Sequence, residues 1–327
     1  MLPAPPMDHA PATPATRDAA AASTVFLFLL PSVIWGTTWL VIKFQLGVVE
    51  PEASVAWRFA LASLLLLGWC LLRRISLRFA AREHAGLALL GVLLFGLNYV
   101  LVYRSEQHLT SGLVAVLFAF IVFWNLLGAR LLFGTPVSPA VLLGATIGVA
   151  GVGLLFWPEL ASLRGGPGQG TGIALACLAT LVASAGNLHS QRLFARGVAV
   201  VPGTAWAMGY AALLLLGWCA VRGVPLAFDP RPPYVLSLLY LTLLGSVVAF
   251  VSYLTLLRRI GAGRSGYTAA VIPVVAMLAS TAFEGYRWTG TALAGMALVL
   301  AGTVLVLRVK ERAAAPGAQA SGALRSR

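Results

Sequence analysis

Residues 99–120, YVLVYRSEQHLTSGLVAVLFAF, have a counterpart later in the chain at residues 253–274, YLTLLRRIGAGRSGYTAAVIPV. In one constant register the two stretches match at Tyr99/Tyr253, Arg104/Arg258, Ser111/Ser265, Gly112/Gly266 and Ala115/Ala269. A similarity that keeps its register across two consecutive apolar runs indicates an internal repeat. The fold is therefore expected to contain two related halves.

The composition of the chain indicates a membrane protein. Hydrophobic residues make up 59% and charged residues 10% of the 327 positions, and the mean hydropathy is +0.89. Soluble domains typically have about 25% charged residues, which they need for a polar surface. The net charge of +13 does not indicate a nucleic-acid partner, because the basic residues lie at the ends of apolar runs and do not cluster on a polar face.

Ten runs are apolar enough for a helix that crosses the bilayer, which needs about 20 such residues. A β-barrel is not indicated, because the runs are long and do not alternate apolar with polar residues. The predicted segments cover residues 25–46, 53–72, 85–104, 109–133, 138–157, 172–194, 203–221, 234–257, 265–284 and 289–307.

Five helices in each half would make the second half enter the membrane from the opposite side, since five is an odd number. The predicted fold class is therefore an all-α polytopic membrane protein, with ten transmembrane helices arranged as two inverted five-helix repeats, the plan of many secondary transporters. The expected organisation is a disordered tail over 1–23, repeats over 24–158 and 171–308, and a second disordered tail over 309–327.

The distribution of Lys and Arg predicts the orientation. With a cytoplasmic N-terminus, sixteen basic residues fall in cytoplasmic segments and five in external loops. Positive charge concentrates on the cytoplasmic side of membrane proteins. Both termini are therefore expected in the cytoplasm, in a multi-pass protein of the inner membrane.

Several stretches together resemble the drug/metabolite transporter superfamily, and within it the EamA-type carriers. They are WGTTWLVIK in helix 1, WRFALASLLLL in helix 2, the dipeptide SG at the start of helices 4 and 9, and the Gly-rich GATIGVAGVGLLF in helix 5. The resemblance covers about residues 25–308. It implies a carrier of metabolites, most like the bacterial exporters of aromatic and other amino acids, working by alternating access.

The candidate substrate-binding residues are aromatic and amide side chains that share helix faces or lie at helix ends. Helix 1, for example, places Trp35 and Trp39 in one narrow stripe with Lys43 at its outer end, because successive helical residues turn by about 100°. The full set is Trp35, Trp39, Asn98, Tyr99, Tyr103, Phe118, Asn187, Phe250, Tyr253 and Tyr267.

Other interpretations of these residues remain open. Trp39 and Tyr103 lie near helix ends and can anchor the protein at the membrane interface. Asn187 can bond a neighbouring helix. Gly144 and Gly148 form a GxxxG pattern, which favours a helix-packing seam over a site.

The absence of certain residue types in the helices narrows the range of possible substrates. No carboxylate lies in the middle of helix 1, and no Lys or Arg pair lies deep in helices 4 and 9, where a carrier of phosphorylated cargo needs positive charge. Rings, amides and hydroxyls suit an amino acid, whose side chain lies against rings and whose ammonium contacts ring faces. The expected partners are thus an amino-acid substrate and the lipid bilayer, with no obligate protein partner evident.

Two other function classes are less well supported. A lipid-modifying membrane enzyme would need a nucleophile, base or metal cluster, but the four histidines are scattered and no CxxC pair exists, so no enzyme activity and no cofactor or metal is expected. A non-transporting receptor or scaffold has no need of an inverted repeat. Export of other neutral or amphipathic metabolites or drugs remains the alternative within the transporter class.

Overall fold

The computed structural model describes residues 14–109, 111–155, 157, 168–283 and 288–308. Within these ranges the regular secondary structure is helical, and eleven helices form ten consecutive segments. The helices are α1 (Pro14–Ile42), α2 (Pro51–Leu72), α3 (Ala81–Glu106), α4 (Ser111–Phe118), α5 (Ile121–Phe133), α6 (Pro139–Leu155), α7 (Gln169–Ala195), α8 (Val200–Arg222), α9 (Pro232–Ser265), α10 (Thr268–Phe283) and α11 (Gly290–Arg308).

Six segments in the described part of the chain are long and apolar enough to cross a membrane: α1 with the following 3₁₀ turn, α2, α3, α7, α8 and α9. The helices α5, α6 and α11 are apolar but shorter. The ten segments overlap the ten predicted runs, whereas ten crossings and the inversion of the second half remain predictions.

The largest differences from the expected helices lie at α9, which continues past residue 257 to Ser265, at α1 and at the fourth predicted run. The helix α1 begins at Pro14, so residues 14–23, expected in a disordered tail, are helical; proline suits the first helical position and the alanines that follow favour helix. The predicted helix 109–133 is divided between α4 and α5, where Phe120 N bonds Leu117 O and Val122 N bonds Ala119 O, the tighter i→i−3 pattern of a 3₁₀ turn. Residues 1–13 and 309–327 of the two expected tails lie outside the described residues.

The helices pack in a pattern that repeats when the two halves are exchanged. In the first half α1 packs against α9 and α10, and in the second half α7 packs against α3, α4 and α5. The pairs α2 with α8 and α6 with α11 join equivalent helices of the two halves. The arrangement brings α1, α3, α7 and α9 together between the halves.

Glycine allows the close approach of α6 and α11. A Cβ atom built on Gly302 would lie 2.5 Å from Gly144 O and 2.7 Å from Gly148 N, which no side chain can tolerate. The predicted GxxxG seam at Gly144 and Gly148 is thus a packing contact, as expected for small residues in membrane helices.

Each of the helices α3 and α9 contains a π-helical segment, Gly91–Leu97 and Leu241–Val248 respectively. These wider turns lie at matching positions of the two halves. A π segment rotates the residues that follow it relative to a regular helix, and such segments are frequent at functional sites. Asn98 directly follows the first segment, and Phe250 lies two residues after the second. Both side chains face the space between the two halves.

Candidate functional site

A cavity of about 80 Å³ lies between the two halves. Eight of the ten residues expected at the site line it: Trp35, Trp39, Asn98, Tyr99, Phe118, Asn187, Phe250 and Tyr253. The other lining residues are Thr38, Ile42, Leu94, Val102, Ile121, Ala183, Gly266, Thr268, Ala269 and Ile272. Both halves of the chain therefore contribute to one cavity, which is lined mainly by apolar and aromatic groups.

The indole of Trp35 is the centre of the aromatic wall. It meets Phe250 at 4.9 Å and Tyr253 at 5.1 Å between ring centroids, both edge to face. Phe250 also approaches Tyr99 at 6.0 Å. These are favourable geometries for aromatic pairs, and they connect α1 and α3 of the first half with α9 of the second.

A second aromatic pair lies on another part of the wall. Trp39 and Phe118 meet edge to face with centroids 5.9 Å apart. The Nε1 atom of Trp39 is buried and has no hydrogen-bond partner among the described residues. Because Trp39 also lines the cavity, this unpartnered donor is a candidate contact for a ligand.

Two amides supply acceptors at the cavity. Asn98 is 4% exposed and Asn187 is 1% exposed, and their Oδ1 atoms have no partner in the described part of the chain. Buried polar atoms are normally bonded, and an orphan needs an explanation such as a bound ligand or water. Asn125 lies behind the wall, since its Nδ2 atom is 2.7 Å from a Cβ built on Gly266.

Tyr103 and Tyr267, the other two expected site residues, are not among the residues that line the cavity. The Tyr103 hydroxyl donates to Gln45 Oε1 at 2.8 Å, which ties α3 to the 3₁₀ turn after α1. The Tyr267 hydroxyl donates to Val141 O at 3.1 Å on α6. Both rings are buried because these bonds turn them toward neighbouring helices.

Gln191 has a structural role instead of a place at the cavity. The helix α9 is interrupted at Gly261, where φ is +80°, and such a value favours glycine. The interruption removes the helical partner of the next amide, and Ala262 N donates to Gln191 Oε1 at 2.9 Å. The side chain of Gln191 thus stabilises the bend.

Among the described residues that line the cavity, none carries a charged side chain. Arg104 forms ion pairs with Glu52 at 2.9 Å and with Glu50 at 3.4 Å, and no carboxylate is among the lining residues of the described chain. In the loop after α8, the hydrogen bond from Arg231 lowers the pKa of Asp229. Among the described residues, no three His, Cys, Asp or Glu side chains are grouped so that they could hold a metal ion.

The candidate set did not include the small and aliphatic residues on either side of Tyr267. Gly266, Thr268, Ala269 and Ile272 line the cavity, although they carry little chemistry of their own. The match of Gly266 with Gly112 in the internal repeat could have indicated this position. Small residues at equivalent helix starts allow other groups to come close to the backbone there.

Comparison with known proteins agrees with a transporter. The chain is 28% identical over 275 residues to an Escherichia coli K12 protein named as an uncharacterized inner membrane transporter, YedA, covering 84% of this chain and 87% of the relative. It is 25% identical to a probable amino-acid metabolite efflux pump of Salmonella typhimurium, covering 89% and 98%. It is 28% identical to a probable terminal-alkyne amino-acid exporter of Streptantibioticus cattleyicolor, covering 70% and 74%.

A solved crystal structure shows the same fold, with a TM-score of 0.71 at 20% identity over 87% of this chain and 96% of the other. The model of the EamA-like transporter family matches the chain twice, over residues 22–157 and 170–308. These two matches cover most of the described helices, and they confirm the resemblance seen in the sequence. The chain therefore belongs to the EamA-like transporter family and is a multi-pass membrane transporter of the drug/metabolite type.

Proposed function

We propose that this protein exports amino acids, aromatic and other neutral ones, across the inner membrane. The observation that carries the proposal is the chemistry of the central cavity. Aromatic rings from both halves surround a space in which the buried Oδ1 atoms of Asn98 and Asn187 lack partners. Such a site fits a zwitterion with an apolar side chain, because amide oxygens accept from an ammonium while rings contact the side chain.

We infer that transport proceeds by alternating access between two inverted repeats of five crossings each. The exchange-symmetric packing of α1 and α7 supports this proposal, as do the π segments at matching positions of α3 and α9. Rocking of one half against the other would expose the cavity first to one side of the membrane and then to the other.

The direction and cargo are supported by relatives named as an amino-acid metabolite efflux pump and as an exporter of a terminal-alkyne amino acid. The inner membrane is supported by the relative named for that location. The excess of Lys and Arg in alternate loops supports cytoplasmic termini.

A second candidate is export of other neutral or amphipathic metabolites or drugs. It is favoured by the large share of apolar residues in the wall, such as Ile42, Leu94 and Ile272. Both candidates use the same cavity and differ in whether the ammonium and carboxylate of the cargo are required.

Counterflow in proteoliposomes tests the proposal. Vesicles loaded with unlabelled phenylalanine should accumulate labelled phenylalanine from outside, and external amino acids should compete, whereas a nucleoside and a lipophilic cation should not. A Trp35→Ala variant should lose most of this exchange, while Trp218→Ala, a matched change at an exposed position of α8, should retain it. Competition by the lipophilic cation and by no amino acid other than phenylalanine would favour the second candidate.

A further inference from the structure

Arg58 of α2 is a buried cation in the part of the chain that crosses the membrane. Its side chain is 0% exposed, and Nε donates to Ser246 Oγ at 2.8 Å in the π segment of α9. Among the described residues, Nη1 and Nη2 have no hydrogen-bond partner. A permanently charged group at membrane depth is costly and marks a functional site by default.

No acidic group in the described part of the chain compensates this charge. The ion pairs found there join Arg104 to Glu50 and Glu52, and Arg231 to Asp229. The environment of Arg58 is aromatic instead: its guanidinium carbon lies 4.7 Å from the ring centroid of Tyr99 and 5.4 Å from that of Phe59. Ring faces attract a cation, and the hydroxyls of Tyr99 and Tyr103 also lie close to the guanidinium. Neither hydroxyl is placed to form a hydrogen bond with Nη1 or Nη2.

The guanidinium lies directly behind the cavity wall. A Cβ built on Gly245 would be 3.1 Å from Arg58 Nη2 and also 3.1 Å from Cγ2 of Thr38. Thr38 and Tyr99 both line the cavity, and Gly245 O accepts from Nε1 of Trp35, a third lining residue. The absence of a side chain at Gly245 leaves the space that brings the cation this close to the wall.

We propose that Arg58 is the specificity-determining residue that recognises the carboxylate of the cargo, which it reaches when the Tyr99 side chain turns aside. This inference rests on the proposed function of the same cavity. Two free Nη donors match the two oxygens of a carboxylate, and such charge-assisted pairs are strong and directional. The bond from Nε to Ser246 holds the guanidinium in place. The cargo is thereby restricted to molecules with a free carboxylate and an apolar substituent.

Competition in phenylalanine counterflow tests this assignment, with unlabelled phenylalanine and phenylalaninamide as the two competitors. The wild-type protein should prefer the acid by about tenfold or more, because hydrogen bonds to charged groups are strong. In Arg58→Gln the ratio of preference for the acid over the amide should fall toward one. Arg58→Lys, which keeps the positive charge but lacks the two parallel N–H donors of a guanidinium, should be intermediate. Arg130→Gln, the same change at an exposed position of α5, should keep the wild-type preference.

A second variant covers the case in which Arg58→Gln does not fold. Ser246→Ala keeps the guanidinium but removes the hydroxyl that accepts a hydrogen bond from its Nε. This variant should also lower the preference for the acid, by a smaller factor than Arg58→Gln. Equal competition by both compounds in the wild type overturns the inference, as does an unchanged preference in Arg58→Gln or, if that variant does not fold, in Ser246→Ala. Arg58 would then only tether α2 to α9. Absence of phenylalanine counterflow in the wild type would instead refute the proposed function itself, and this inference with it.

Discussion

Replacing Tyr99 or Tyr253 by leucine should weaken the transport of aromatic cargo more than that of small cargo. The two rings line the cavity from different halves, Tyr99 on α3 and Tyr253 on α9. Leucine keeps an apolar side chain at each position and removes the ring. An aromatic pair contributes about 0.5–1.5 kcal/mol beyond its buried area, so the affinity for phenylalanine should fall by about two- to twelve-fold.

The measurement is the inhibition of labelled counterflow by phenylalanine and by alanine, expressed as a ratio for each variant. A ratio is independent of the amount of active protein in the vesicles. The matched control is Tyr210→Leu, because the Tyr210 hydroxyl bonds His84 Nδ1 at 2.9 Å away from the cavity lining. The control should show the wild-type ratio.

The outcome that contradicts this reasoning is a ratio that stays at the wild-type value in both cavity variants. Tyr99 and Tyr253 would then be packing or interface residues without contact to the cargo. A change in one variant alone would instead show that only one half contacts the aromatic side chain, which would contradict contact from both halves.

Three further predictions address stability and topology. Trp35→Phe keeps a ring but leaves Gly245 O without its 3.0 Å donor, so it should lower the free energy of unfolding by about 1–3 kcal/mol, read as a lower midpoint of thermal unfolding in detergent. Gly302→Ala should also lower the midpoint of unfolding, because the added Cβ would overlap α6. The control Gly217→Ala, at a position with open space around it, should leave the midpoint unchanged or raise it. A phosphatase fused after Arg308 should be inactive, because the C-terminus is predicted to be cytoplasmic. An active fusion would show that the predicted orientation is wrong.

Much of the architecture follows from local properties of the chain. Ten apolar runs predict helices because only a helix satisfies its backbone hydrogen bonds within one segment in lipid. The helical period predicts which side chains share a face, and this suffices for Trp35 and Trp39 on α1 and for Phe250 and Tyr253 on α9. Eight of the ten candidate residues line one cavity, because the helical period places them on faces that meet there; their role in binding stays a prediction.

Only the tertiary structure determines the surroundings of side chains whose contacts lie far away in the sequence. Tyr103 and Tyr267 carry the same chemistry as the lining tyrosines, but their bonds to Gln45 and Val141 turn them away from the cavity. The environment of Arg58 depends on Ser246, 188 residues later, so no local pattern separates it from an arginine near an interface. The period of a helix identifies a face, whereas only the packing of the two halves determines whether that face meets lipid, another helix or the central cavity.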